Sequence, residues 1–275
     1  MTFSIVARSA DGQSWGVAVA SKFLAVGSVV PAAIARVGAI ATQADANVAY
    51  KGLALAHLDE GATAAVALAR LLEADDGRED RQVGIVDRDG RAATHTGRSC
   101  FDWAGGVTGD DVAIQGNILT GPEVVQAMKA SWDSMSEEPD LARRLLSALC
   151  AGDEAGGDGR GRQSAALLVV REGAGYGGGD DVAVDLRVDD HEQPCQELER
   201  LLDLNSLYLT ASRDEEKVAV DDKLRRELDD RARQLGHPDF QAWVGTENFE
   251  MRVDGGAAPE WVDHRILRIL RDRSR

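Results

Sequence analysis

The chain has 275 residues, 44% of them hydrophobic, enough for one large core or a large and a small one. It carries 47 Asp and Glu against 31 Lys and Arg, a formal net charge of −16, and a surface of that sign repels phosphate backbones, so nucleic acid is not expected as a partner. No apolar run approaches the roughly 18 residues of a membrane span, and Arg8 and Asp11 break the order of a signal peptide; the expected location is the cytoplasm.

Lysine is scarce, occurring at positions 22, 51, 129, 217 and 223. Excess acid with little lysine suits a salt-rich setting, where screening relieves self-repulsion. Cys100, Cys150 and Cys195 are odd in number and far apart, which argues against a disulfide framework or a C-x-x-C zinc site. Three reduced thiols are expected.

Residues 3–8 (FSIVAR) and 15–20 (WGVAVA) read as strands joined by a turn whose Asp11-Gly12 pair favours a hairpin. The runs 25–30 (AVGSVV) and 36–42 (RVGAIAT) have the small and β-branched composition of buried strands. From Asn47 to Leu72 apolar residues recur at helical spacing, interrupted at Gly61, with Thr63 as the cap of a second helix. RQVGIVDRDGRAATHTG predicts another hairpin, turning at Asp89-Gly90.

A strand at 112–115 precedes Gly116-Asn117, and Pro122 suits the first turn of a helix reaching about Trp132. A helix at 139–151 ends in the Gly-rich loop AGGDGRGRQ, and strands at 164–171 and 182–188 follow. Strands, two helices, strands, two helices and strands, with no regular βαβ alternation, predict a layered α+β protein. After a helix at 192–209, the polar stretch ASRDEEK reads as a linker. Two domains are thus expected, residues 1–210 and a small, mainly helical module at 211–275 with helices near 220–235 and 262–272 and aromatic anchors Phe240, Trp243, Phe249 and Trp261.

The residue that raises a chemical question is Thr2. A threonine hydroxyl is a poor nucleophile without a base in reach. With Met1 removed, the α-amino group of Thr2, reference pKa about 8, would be that base, as in the N-terminal threonine variant of the serine triad. An ordinary Met-Thr start is the plain alternative.

Other candidates follow from what such a nucleophile needs. Lys22, in ASKF, would lower the pKa of the nucleophile or its amine by its charge, or serve as an ordinary strand-end cation. Gln43 and Asn47 flank the turn TQADAN, where a side-chain amide or a free helix N–H would stabilise an oxyanion; helix capping by Asn47 is the alternative. Gln115 and Asn117 in IQGNIL would bind a substrate carbonyl or only satisfy the bend at Gly116.

Arg160, Arg162, Gln163 and Ser164 form a loop suited to a carboxylate or phosphate, without the spacing of a Walker motif, or else a flexible linker. Alternation puts Asp185, Arg187 and Asp189 on one strand face, which predicts a buried Arg–carboxylate pair and keeps Arg187 and Asp189 as substrate-binding candidates. Asp189, Asp190 and His191 are contiguous and make a poor metal set. His57 and His95 lack a G-x-S-x-G partner motif and read as structural. Neither a metal nor a cofactor is expected.

The blocks TFSIVARSADGQSWGVAVASKFLAVGSVVP, GAIATQADANVAYKGL, RQVGIVDRDGRAA, QGNILTGPEVV, GRGRQSAALLVV and VDLRVDDHEQPCQELERLL span roughly residues 2–205. Together they resemble the bacterial and archaeal family of unknown function number 1028, assigned to the N-terminal-nucleophile (Ntn) hydrolase superfamily. The resemblance implies a four-layer αββα sandwich and no known substrate. LGHPDFQAWVGTENFEMRV and WVDHRILRIL resemble a small C-terminal module described as peptidoglycan-binding; packing or subunit contact is the alternative role.

The expected function is therefore an Ntn-type amidohydrolase acting on a small amide or related C–N bond. Thr2 attacks the carbonyl, its amine moves the proton, and amides hold the oxyanion. A non-catalytic ligand-binding or assembly protein on the same fold is the competing class. Expected partners are a small-molecule substrate and a second copy of the chain, with a peptidoglycan fragment as a weaker candidate.

Overall fold

The hairpin expected from the first residues forms: β1 (Thr2–Arg8) and β2 (Ser14–Ser21) pair antiparallel across the turn at Gly12, whose φ of 70° belongs to glycine. The computed structural model describes every residue except Met1 and Ala257. Its chain divides into two units, the first ending at Leu202 and the second spanning Asp203–Arg275.

The elements of the first unit after β2 are β3 (Pro31–Ile34), β4 (Gly38–Ala44), α1 (Ala49–Asp59), α2 (Ala64–Glu73), β5 (Arg81–Asp87) and β6 (Ala92–Thr96). β7 (Gly105–Gly109), β8 (Val112–Asn117), α3 (Glu123–Ser134), α4 (Leu141–Glu154), β9 (Ser164–Arg171), β10 (Val182–Val188) and the first part of α5 (Pro194–Tyr208), whose residues from Asp203 on belong to the second unit, complete it. The strands form two antiparallel sheets, one in the order β10-β9-β2-β1-β8-β7 and one in the order β3-β4-β5-β6. The unit is thus a mixed α+β structure.

Side-chain alternation on the strands of the two sheets builds three apolar cores. Phe3, Ile5 and Ala7 of β1 join Ile114, Leu167 and residues of α3, α4 and α5 in one core. On the opposite faces, Val6, Trp15, Val17 and Val19 meet Ala39, Ala41 and Val86 of the four-stranded sheet. The outer face of that sheet, with Ile40, Val83 and Ile85, packs on Tyr50, Leu58, Leu68 and Leu71 of α1 and α2. Thr63 caps α2 through its hydroxyl, which accepts from Val66 N at 3.3 Å, as its position after Gly61 predicts.

One expectation fails and one strand was not anticipated. Residues 25–30 form no strand; Val26–Ser28 make a single 3₁₀ turn after Ala25, whose φ is 53°, and β3 begins only at Pro31. Gly27 lies where a Cβ would stand 2.5 Å from Ala166 Cβ, so the turn packs against β9 at a distance only glycine allows. β7 (GGVTG) is a strand that three glycines conceal from propensity.

In the second unit β11 (Lys217–Ala219) pairs antiparallel with β12 (Trp261–Asp263), beside α6 (Asp222–Gln234), α7 (Phe240–Thr246) and α8 (His264–Arg273). Its core centres on Trp243, with Phe249 and Phe240 ring centroids at 5.3 and 5.7 Å. The division falls before the expected 210/211 because Leu207 and Tyr208, the end of α5, pack into this second core. A polar stretch in the sequence marks composition, and apolar packing decides the division.

Candidate functional site

Strand register gathers several of the sequence candidates at one end of the six-stranded sheet. Thr2 stands opposite Asn117 of β8, and Ser21 at the end of β2 stands opposite Ser164 of β9. Phe3 pairs with Ala20, so Thr2 and Ser21 come next in the same ladder, and their hydroxyls lie 3.1 Å apart. Thr2 is buried, 7% exposed. Removal of Met1, on which the nucleophile depends, concerns a residue outside the described ones.

Beneath Thr2 the layer between the sheets changes from apolar to polar. Gln43 Nε2 donates to Thr2 O at 3.1 Å and to Gln82 Oε1 at 2.8 Å; Asn117 Nδ2 donates to the same two acceptors at 3.4 and 2.9 Å. Gln82 Nε2 in turn donates to Gly116 O at 2.7 Å and Thr96 Oγ1 at 2.9 Å. Ser4 Oγ donates to Gln43 Oε1 and accepts from Gln115 Nε2, both at 2.7 Å. Gly84 makes room for this ladder, since a Cβ there would stand 2.0 Å from Gln115 Oε1. Among the described residues none of these buried amide atoms is left without a partner.

The amides of Gln43 and Asn117 are therefore turned on the carbonyl of Thr2 itself, holding that residue from the inter-sheet side. Gln82 was not anticipated from sequence. Its signal was a lone amide on the inward face of RQVGIVD, at the same alternation as Gly84 and Val86.

Lys22 and the loop after α4 form the rim. Asp158, buried and also unforeseen, accepts Lys22 N at 2.7 Å, Arg160 N at 2.9 Å and the Arg160 guanidinium at 3.2 Å. Lys22 Nζ donates to Arg162 O at 3.1 Å. Arg162 Nε sits 2.8 Å from both oxygens of Asp153, and that bond raises the guanidinium pKa above its usual value. Ser164 Oγ donates to Phe23 O at 2.5 Å and accepts from Val26 N at 3.1 Å, while Asp189 O accepts from Ala25 N. Ser164 and Asp189 thereby pin the loop that carries Lys22.

Gln163 Nε2 holds Asp190 at 3.1 Å. Two shallow clefts open here, about 410 Å³ lined by Lys22, Arg162, Asp190, His191, Glu192 and Gln193, and about 340 Å³ lined by Gly156, Asp158, Gly161, Arg162 and Glu192.

Other candidates go elsewhere. Asn47 accepts from Ala49 N at the start of α1 and donates to Asp75 Oδ2 at 3.2 Å. Asp75 also receives Arg81 Nε and Tyr50 OH, which hold its carboxyl well below the carboxylate range. Burial first, and then Asp75, push the Tyr50 hydroxyl up. The buried Arg–carboxylate pair expected on β10 is not buried: Arg187 Nε and Asp185 Oδ1 lie 3.7 Å apart with both side chains half exposed. On β10, the last strand of its sheet, Val184 and Val188 pack into the core on one face, and the alternate face with Asp185 and Arg187 is exposed.

All three cysteines are free thiols. A hydrogen bond with Cys150, and then burial, raise the Cys195 thiol well above its usual pKa, which makes it a poor nucleophile. Among the described residues no group of three or more His, Cys, Asp or Glu is arranged to hold a metal ion.

No curated protein matches the sequence. Residues 212–270 match the family model described as "Putative peptidoglycan binding domain". Among solved structures the chain is similar to protein SPO2555 from Silicibacter pomeroyi, assigned to DUF1028. The two are 29% identical over 88% of this chain and 96% of that one, with a TM-score of 0.66. Residues 2–198 match the model of the family of unknown function DUF1028, and the protein belongs to that family.

Proposed function

We propose that the first unit is a four-layer αββα sandwich of the Ntn-hydrolase kind and that the protein is an amidohydrolase cleaving a small amide or related C–N bond. The observation that carries the reading is the setting of Thr2. It opens a central strand, its hydroxyl touches Ser21 Oγ, and two side-chain amides clamp its carbonyl. A nucleophile needs that fixity, because small misplacement costs rate steeply. Once Met1 is gone, the amine takes the proton from Oγ1, the hydroxyl attacks the carbonyl, the amine protonates the leaving nitrogen, and water releases the acyl group. Lys22, one residue beyond Ser21, adds positive charge that lowers the pKa of the amine.

The packing of helices on both outer sheet faces supports the four-layer reading. A small-molecule substrate, a homodimer and a cytoplasmic location are parts of the same proposal, with a soluble peptidoglycan fragment as the partner for the second unit.

The test is the intact mass of the chain from a host with normal Met processing, followed by an amide panel on the native chain and Thr2→Ala. Loss of Met1, with turnover that disappears in Thr2→Ala, is expected. Retention of Met1, or an active Thr2→Ala chain, overturns the assignment. The low exposure of Thr2 favours a second reading, a non-catalytic ligand-binding or assembly protein, and retention of Met1 selects it.

A further inference from the structure

Two of the three thiols share a corner of the first unit that the nucleophile does not use. Cys195 lies in the first turn of α5 and is 2% exposed, inside the core that α3, α4 and α5 build on the six-stranded sheet. Cys150, near the end of α4, packs against that same core and is half-buried.

Bonds that involve no sulfur bring the two together. Arg162 Nε is held by both oxygens of Asp153, which follows Cys150 by one turn on α4, and Gln163 O accepts from His191 N at 2.8 Å. The chain leading into α5 is thereby laid against the end of α4. There the Cys195 and Cys150 thiols share a hydrogen bond. Cys100 is engaged elsewhere, its Sγ donating to Arg81 O at 3.5 Å.

We infer that Cys150 and Cys195 are a dithiol that a hydroperoxide converts to an intramolecular disulfide, Cys150 being attacked first. The order follows from access: of the pair only Cys150 is open to a solute, and Cys195 is closed off by the core. The Cys150 sulfur takes one oxygen from the peroxide, giving a sulfenic acid and water. The Cys195 sulfur then displaces that hydroxyl, which leaves as a second water with the Cys195 proton. Two thiols lose two electrons, and the peroxide gains them.

Cys195 is a poor nucleophile toward anything in solution. Its partner sulfur is already beside it, however, so the closing step is intramolecular. A sulfenic acid with no thiol in contact goes on to sulfinic acid, and this neighbour diverts it. The bridge closes a ring over residues 151–194, which include Asp158 and Arg162, the two residues bonded to Lys22. Thr2 takes no part, so the result stands whichever way the nucleophile test falls.

The experiment exposes the full, folded chain to a small molar excess of hydrogen peroxide. Remaining thiols are alkylated under denaturing conditions, and the digest is mapped by mass with and without a dithiol reductant. The intact mass is expected to fall by two hydrogens before alkylation, with Cys100 then the thiol that alkylates. The peptides holding residues 150 and 195 should travel as one species until reduced. Cys150→Ala should abolish the bridge and leave Cys195 open to alkylation, whereas Cys195→Ala should let oxygen accumulate on Cys150.

The native chain decides the matter even if the Cys195 exchange, which opens a core, does not fold. Sulfinic acid at Cys150 with Cys195 still alkylatable overturns the pair, as does a bridge that includes Cys100 or one formed between chains alone. Both thiols intact at a dose that oxidises free cysteine overturns it as well.

Discussion

Gln82 in the first unit and Arg252 in the second occupy comparable places, each wholly buried and each gathering the polar atoms around it. Gln82 accepts from two side-chain amides and donates to Thr96 Oγ1 and backbone carbonyls. Arg252 donates to the carbonyls of Ser206, Leu207 and Thr210 at the end of α5, and to Ser212 Oγ and Asp263 Oδ2, both at 3.0 Å. The difference is charge. A buried neutral amide costs little once its bonds are made, whereas each buried ion carries a desolvation penalty of several kcal/mol that its partner must offset. The ladder beneath Thr2 is therefore built from groups that do not titrate, and the second unit hangs on groups that do.

The sharpest way to break the comparison is Arg252→Met. Removing the guanidinium leaves the Asp263 carboxylate buried without that partner and uncaps the end of α5, so the second unit should lose about 3–5 kcal/mol. Hydrogen exchange of amides 222–270 in the full chain reads it, and unchanged protection would contradict the ionic account. Gln82→Leu should cost about 2 kcal/mol by removing one buried acceptor from each of Gln43 Nε2 and Asn117 Nδ2, which keep only Thr2 O of the two they share. The loss should appear in chemical denaturation of the first unit, with the Thr2 and Gly116 signals moving. A null effect would mean the ladder is not a connected network.

Gly84→Ala should follow, at about 1–2 kcal/mol, because its new methyl displaces the Gln115 carboxamide. Gly84→Ala combined with Gln115→Ala should recover most of that loss, measured by the same melts.

The smallest effect is the one with a pH signature. The Arg271 and Arg231 bonds lower the Glu227 carboxyl to about 2. At Asp263, burial pushes the pKa up, but bonds from Arg265, Ser212 and Arg252 outweigh it and hold the carboxyl below its ordinary range. A carboxyl depressed on folding stabilises fully above its unfolded pKa, about 4, and that contribution is lost as pH falls through the folded value. The second unit should thus weaken below about pH 4, as should the Asp75–Arg81 corner of the first unit, while the amide ladder itself contributes no acid-sensitive group. Glu227→Gln should flatten the acid limb near pH 2 and cost about 1 kcal/mol or less at neutral pH. Acid loss of protection at Gln43, Gln82 and Asn117 as early as at Asp263 would erase the contrast.

Much of the architecture was legible because it rests on local signals. Asp11-Gly12 and Asp89-Gly90 mark hairpins, Thr63 marks a cap, and β9 and β10 begin and end where their apolar runs do. β7 escaped because glycine carries no packing signal, and the edge position of β10 escaped because a strand's sequence does not say who its neighbours are.

The site divides the same way. Thr2, Gln43, Gln115 and Asn117 were visible as chemically able residues near turns. Gln82, Ser21 and Asp158 were not, because their roles depend on partners far along the chain, such as Gln43 for Gln82 and Lys22 for Asp158. Register between strands is a long-range property, and one sequence does not display it.

The empty space at Gly84 has a consequence beyond this one chain. The carboxamide of Gln115 fills the volume a side chain at 84 would take, so the two positions share a single allotment of room. Relatives with this ladder can change it only by paired exchange: a residue larger than glycine at 84 goes with a short one at 115, and the Ser4 hydroxyl then needs a new donor. Positions 84 and 115 should therefore vary together across the family, and the pair with them should be Ser4.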